Sequence, residues 1–440
     1  MKHKSGKNDV RPTKTLKNSG SLVLGTAVSQ VLIAASIPVI TRLYTVSELG
    51  TSAVLVSLFS TLSIVGCLRY EIAIPLPKDE RDAVALTQVS VVLCTGFTVL
   101  LIAIEILVAS TFEPRFADIN LAGIFVAIAY FHATSLMSVG NMAAIRSERY
   151  STVSRARIIV LLLQVPIQVA LGLAGANTVG LLAGYAAANY GAGIYMLIKC
   201  QNRQGFGCSK GRVAGVLADY RGYPIHTSWA ALLNTLSLEA PLLYFGIRYS
   251  TSRAGYVGMV QTVIAVPLSL VTSSVGLAIY GEWGKGKIMH RGHLDSLRSQ
   301  TKWFLGRTAL VTVGYIALAV IGTRILATRL LGEDWSALWK YVLAIGPFYG
   351  AVAVANPTGW LLELFGETKL TLVRSLSRLL ALGLTIFALE LLRPSTLSAA
   401  RILSIYGLVA AALYVSFSIR PLVRGQVDHA GSAGQGEQFE

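Results

Sequence analysis

The chain has 440 residues, of which 53% are hydrophobic and only 14% charged. A soluble domain carries about 25% charged residues, so this composition excludes an ordinary soluble protein and points to many membrane spans. The formal net charge of +16 does not signal nucleic-acid binding, because it is spread over many loops with no basic face or base-stacking module.

The opening segment, MKHKSGKNDVRPTKTLKNSG, is basic and polar, and the first apolar run begins near Leu22. That run is too long for a signal-peptide core and no small-residue cleavage site follows, so it reads as a retained first helix. Asp9, Pro12 and the missing Arg/Ser amphipathic pattern argue against a mitochondrial presequence. At about twenty apolar residues per span, spans fall near 20–43, 48–74, 83–110, 118–145, 153–174 and 177–199. A polar stretch follows, then a second set near 222–247, 253–280, 303–330, 336–364, 370–392 and 397–420. The expected domains are a basic cytoplasmic N-terminus (1–19), an N-terminal six-helix lobe (20–199), a cytoplasmic linker (200–220), a C-terminal six-helix lobe (221–424) and a disordered cytoplasmic tail (425–440).

Orientation follows from the lysine and arginine bias of the loops. With the N-terminus in the cytoplasm, the inner segments collect Lys78 and Arg81, Arg146 to Arg157, Lys199 to Arg212, Lys285 to Lys302, Lys369 and Arg374, and Arg420 and Arg424. The outer segments hold only scattered arginines such as Arg42, Arg115, Arg248, Arg253, Arg329 and Arg393. Both termini are therefore expected in the cytoplasm. The two sets of spans also share a motif. Tyr44, Ser47 and Gly50 align with Tyr249, Ser252 and Gly255 at one constant offset, each followed by an apolar helix. With matching orientation, this supports two parallel repeats, an arrangement found in transporters.

Little in the chain suggests catalysis. Cys200 and Cys208 lack the second pair a zinc site needs, and His290 and His293 lack a third ligand. There is no Walker lysine after a glycine-rich loop, and the short outer loops leave no room for the external domain of a glycan polymerase or ligase. No catalytic residue, metal or cofactor is expected.

The informative residues are the ionisable groups inside spans, which by default face the bundle interior. Arg42 ends the first span and Arg248 the seventh, both at the outer side, as cavity-facing groups or interfacial anchors. Arg307, Arg374 and Arg378 lie within snorkelling reach of the inner headgroups. Glu105 lies in the outer part of the third span, and His132 is expected to hydrogen-bond a neighbouring helix. Glu239 sits about midway in the seventh span, where a carboxylate cannot snorkel far. In SIVGCLRYEIAIPLP, Arg69 and Glu71 occur two residues apart near the inner end of the second span. On one continuous helix they point to different sides, so each is expected to need its own partner.

At LRYEIAIPLPKDERDA (68–83) the sequence resembles the bacterial polysaccharide repeat-unit flippases, also called O-antigen or Wzx-type translocases, of the MATE-like MOP transporter superfamily. RLYTVSELGTSAV, YRGYPIHTSWAALLNTLSLEAPLLYFG and LLGEDWSALWKYVLAIGP agree with it, and the resemblance covers roughly residues 15–420. It implies an all-α integral membrane protein of about twelve transmembrane helices, in two six-helix lobes around a central cavity. The substrate it implies is an undecaprenyl-diphosphate-linked oligosaccharide for O-antigen or exopolysaccharide synthesis, flipped across the bacterial inner membrane by alternating access. A cationic cavity would suit the diphosphate, because arginine's fork matches phosphate oxygens. The candidates carried to that role are Arg42 and Arg248 on the outward side and Arg69 on the inward side, with Glu71 and Glu239 for ion coupling. A polysaccharide polymerase and chain-length proteins are candidate partners. The rival reading is a MATE-type, cation-coupled antiporter of small molecules, a class that favours acidic cavities.

Overall fold

The computed structural model describes residues 35–111, 121–200, 209–269, 272, 291–359 and 368–420. The N-terminal spans are α1 (35–43), α2 (Val46–Gly66), α4 (Glu80–Thr111), α5 (Leu121–Arg146), α6 (Tyr150–Leu173) and α7 (Asn177–Cys200), with a one-turn helix α3 (Tyr70–Ala73) after α2. Helix α8 (Lys210–Asp219) leads to the second half: α9 (Ser228–Arg248), α10 (Thr251–Val260), α11 (Arg291–Leu331), α12 (Leu338–Ala355), α13 (Thr368–Leu392) and α14 (Thr396–Ser418). Among the described residues there is no strand, and ten helical stretches are long and apolar enough to cross a membrane. The other two predicted spans, 20–43 and 253–280, run into residues outside those described. His290 and the N-terminal and C-terminal tails also lie outside them.

The lobes repeat each other in more than helix count. In the first lobe the sixth span, α7, packs against α5 and α6, and in the second its counterpart α14 packs against α12 and α13. The third span of each half, α4 and α11, lies at the periphery. Val92, Val99 and Leu107 of α4, and Leu310, Val313 and Leu318 of α11, are exposed as lipid-facing apolar side chains. The lobes meet where α2 packs against α9 and α10. Helix α2 starts in a capping box: the Glu48 amide donates to Thr45 Oγ1 at 3.2 Å, and the Thr45 amide donates to Glu48 Oε2 at 2.7 Å. Ser250, at the equivalent position of the second repeat, caps α10 through the Arg253 amide.

Three departures from the expected spans have physical causes. The second span ends early, at Gly66, because Leu68 and Arg69 adopt left-handed backbone conformations with φ of 49° and 62°. The eighth span carries a π-turn at Gln261–Ala265. Pro267 lacks the N–H that would bond the Val263 carbonyl, and the Tyr315 hydroxyl of α11 donates to it instead at 2.7 Å. Helix α11 is much longer than its predicted span of 303–330, with 41 residues.

The end of the bundle that holds α3 is tied together by two arginines. Arg146, in the last turn of α5, donates Nη1 to the Pro75 and Pro77 carbonyls at 3.2 and 2.7 Å and Nη2 to Glu80 at 3.2 Å. Arg212 of α8 bonds Asp79 at 2.8 Å and Asp82 at 2.6 Å. Val216 of α8 is buried against Cys67, Tyr70, Ile74 and Leu86, and the Tyr70 hydroxyl donates to the Leu217 carbonyl. The segment read as a linker thus contains a helix docked on the first lobe.

The docking of α8 carries a pH signature. The Arg81 backbone amide, and then the Arg212 guanidinium, hold the exposed Asp79 carboxyl below its ordinary value. A depressed folded-state value means the stabilisation is present above the unfolded value of about 3.9 and is lost as pH falls through the folded one. Amide exchange protection over Val213–Tyr220, corrected for intrinsic rates, is therefore expected to hold at neutral pH and fall below about pH 4. Arg212→Ala should show the low protection at every pH. Unchanged protection in that variant would mean that apolar packing alone docks the helix.

Candidate functional site

A cavity of about 290 Å³ lies where the two lobes face each other. Its walls come from α1, α2, α6 and α7 of the first lobe and α9 and α10 of the second. The size is close to the lower end for ligand pockets, about 300–1,000 Å³. Ser52, Ser57 and Ser60 line it from α2, and Gln164 and Gln168 from α6. The two glutamines, four residues apart, share one helical face. Tyr185 and Thr262 add further hydroxyls. Such a lining offers neutral donors and acceptors of the kind that replace water around a polyol.

Among the described residues, the one carboxylate in this lining is Glu239, at the middle of α9. Ser57 Oγ of the opposite lobe donates to its Oε2 at 2.9 Å. Gln261 Nε2 donates to both oxygens at 3.2 and 3.3 Å. Gln261 opens the π-turn of the eighth span, and π-turns recur at functional sites because they re-aim one side chain out of helical register. Pro241, two residues past Glu239, adds a second irregularity to the wall of the cavity. No lysine or arginine lines the cavity among the described residues, so Glu239 is held there by neutral donors.

The arginine candidates lie elsewhere. Arg42 donates to the Arg329 carbonyl at 3.1 Å, and Arg248 pairs with Glu390 of α13 at 3.1 Å, both at the end where α2 begins. Arg69 and Glu71 lie at the opposite end. Contrary to the expectation from a continuous helix, they pair with each other, Nη1 to Oε1 at 3.7 Å. The left-handed turn at Leu68 and Arg69 is the reason, since it removes the helical geometry that would have separated them. The Glu71 side chain is only 3% exposed, which makes Arg69 its charge partner in a nearly dry setting. Arg69→Ala is expected to lower stability by about 1–3 kcal/mol, with much of the loss relieved by adding Glu71→Gln. Thermal denaturation of the singles and the double in detergent measures this; additive losses would mean the pair is not coupled.

Arg374 and Arg378 also depart from expectation. They do not snorkel: they are 9% and 4% exposed, inside the second lobe. Their guanidinium carbons sit 4.0 and 5.4 Å from the centre of the Tyr414 ring. Arg374 donates to Ser418 at 3.1 Å and Arg378 to Asn234 at 2.8 Å. Arg307 stays exposed, over the face of Trp303. His132 does bond neighbouring helices, Thr95 of α4 at 3.2 Å and Tyr190 of α7 at 2.9 Å. Of the sequence candidates, only Glu239 reaches the cavity. Its lining partners were missed, although two amides four residues apart in an apolar span are a readable signal.

The sequence profile of a family described as polysaccharide biosynthesis protein matches residues 39–340. Among solved structures, a lipid II flippase, MurJ, in an inward closed conformation superposes with a TM-score of 0.67 at 13% identity, over 90% of this chain and 87% of that one. A multidrug resistance MATE family transporter of the MOP superfamily, in an inward-facing conformation, gives 0.59 at 13% identity, over 93% and 96%. A MATE transporter of Vibrio cholerae gives 0.58 at 15% identity, over 94% and 97%. No curated protein sequence matches the chain. At these identities the structural likeness establishes the fold: an all-α, multi-pass membrane protein of two six-helix lobes.

Proposed function

The chain belongs to the polysaccharide biosynthesis protein family, and from that premise we propose that it flips undecaprenyl-diphosphate-linked oligosaccharide repeat units across the bacterial inner membrane. The observation that carries this reading is the cavity between the lobes, whose largely apolar walls carry hydroxyls and amides from both. Sugar hydroxyls cannot cross hydrocarbon without partners, and this lining supplies them. The polyprenyl chain can stay in lipid while the head group passes between lobes that open alternately to each side. On this reading both termini, and the α3 end of the bundle, face the cytoplasm, a topology that the bias of basic loops supports.

Arg42, Arg69 and Arg248 remain the candidates for meeting the diphosphate at the two mouths of the path, and Glu71 and Glu239 for ion coupling. Glu239 suits that role best: with neutral partners only, a carboxylate at this depth is stabilised by taking up a proton or a metal cation. The direct test is reconstitution. Purified protein in liposomes should move a fluorescent lipid-diphosphate oligosaccharide between leaflets, and deletion of the gene should abolish the surface glycan. Normal surface glycan after deletion would sink the proposal.

One observation favours a second reading. A cavity with a single carboxylate and no cation in its lining suits a cation-coupled antiporter of small cationic molecules. Efflux of a cationic dye that disappears in Glu239→Gln, with no lipid flipping, would establish that alternative.

A further inference from the structure

The glycines of the repeated motif, Gly50 and Gly255, meet at a single place in the fold, the crossing of α2 and α10. A methyl group added at Gly50 would collide with the Thr251 carbonyl oxygen and lie 2.6 Å from the Gly255 amide nitrogen. One added at Gly255 would collide with the Val46 carbonyl oxygen. These are two equivalent contacts, one from each repeat, since the offset that relates Gly50 to Gly255 also relates Val46 to Thr251. Exchanging the lobes maps the crossing onto itself, as in an isologous interface. Ser47 Oγ and Thr251 Oγ1 hydrogen-bond across it at 2.6 Å. Leu49 and Gly255, from the two helices at the crossing, also line the cavity, so the crossing borders it at that end.

We propose that this crossing is the seal of the cavity: α2 and α10 part here when the transporter opens at the end where α2 begins, and close again backbone to backbone. Glycine is required at both positions because only a surface without side chains allows two helices to approach this closely. The contact can part and re-form without any side chain changing rotamer. The hydroxyl pair then acts as a latch, and water can satisfy both groups once it opens. The sequence repeat is thus accounted for by a closure that needs the same shape from each lobe.

The inference rests on the transporter reading only in requiring that the lobes separate, and its test reads access rather than transport. In the full chain with Cys200 and Cys208 replaced by serine, Ser52→Cys places a reporter in the cavity. Gly50→Leu should raise the rate at which an impermeant maleimide, added on the α2-start side of sealed proteoliposomes, labels that cysteine by about tenfold. In a second variant, Ser47→Cys with Thr251→Cys, copper phenanthroline should join the two thiols, slow labelling from that side by about tenfold, and do so reversibly with dithiothreitol. A pair that never cross-links, a cross-linked protein labelled as fast as the reduced one, or a folded Gly50→Leu protein with unchanged labelling would each overturn the seal. Labelling as expected in a chain that flips no lipid would uphold the seal and overturn the proposed substrate.

Discussion

Glu239→Gln is expected to lower the proposed ion-coupled flipping by at least about tenfold while leaving the protein folded, with stability changed by no more than about 1 kcal/mol. Glutamine keeps the volume of glutamate, and its carbonyl oxygen can still accept the bond that Ser57 donates. What it cannot do is take up and release a proton or balance a bound cation. The carboxylate is bonded to Ser57 of one lobe and to Gln261 of its own, so its charge state acts on a contact that must break when the lobes separate. The measurement is flipping in proteoliposomes with and without an imposed pH or sodium gradient. Wild-type gradient dependence in the glutamine variant would remove Glu239 from coupling.

The largest expected loss of stability is in Arg146→Ala, about 2–4 kcal/mol. One guanidinium there satisfies two carbonyls, Pro75 and Pro77, and pairs with Glu80. Prolines supply no N–H to the turn they form, so these carbonyls have few other partners within the segment. Arg146→Lys keeps the charge but not the fork, and should recover only part of the loss. Thermal denaturation in detergent, followed by size-exclusion chromatography, reports both. An alanine variant as stable as the parent would show that the segment after α3 is held by packing rather than by this arginine.

The architecture was legible where hydrocarbon imposes a single rule. Spans could be read from the lengths of apolar runs, and the lipid-facing helices α4 and α11 are the plainest cases. The shared Tyr44–Ser47–Gly50 pattern was also visible, as a repeat, but the close contact of the lobes that its glycines make was not. What could not be read were events that leave no trace in composition. Leu68 and Arg69 take left-handed conformations without a glycine to announce them, so the second span read as continuous and the pairing of Arg69 with Glu71 was missed. Arg374 and Arg378 were misplaced because snorkelling depends on which face of α13 meets lipid, and their face meets Tyr414. Glu239 was found because a carboxylate at mid-span has no inexpensive explanation. Its neutral partners were not, because serine and glutamine are common enough in spans to pass unnoticed.

Helix α11 offers a way to watch the second lobe move. Its 41 residues extend about 60 Å at about 1.5 Å per residue. Hydrocarbon is about 30 Å thick and spanning helices tilt by at most about 40°. Tilt therefore cannot absorb the excess, and the rod must stand well clear of the acyl chains. A probe fixed at the exposed Lys302, part of the way along this stiff pointer, sits roughly 40 Å from the far end of the helix. A rotation of the lobe by about 10° would sweep that point through about 7 Å, a displacement that distance measurements between paired labels resolve. The molecule carries its own gauge, in which angular change inside the membrane is read as distance in water.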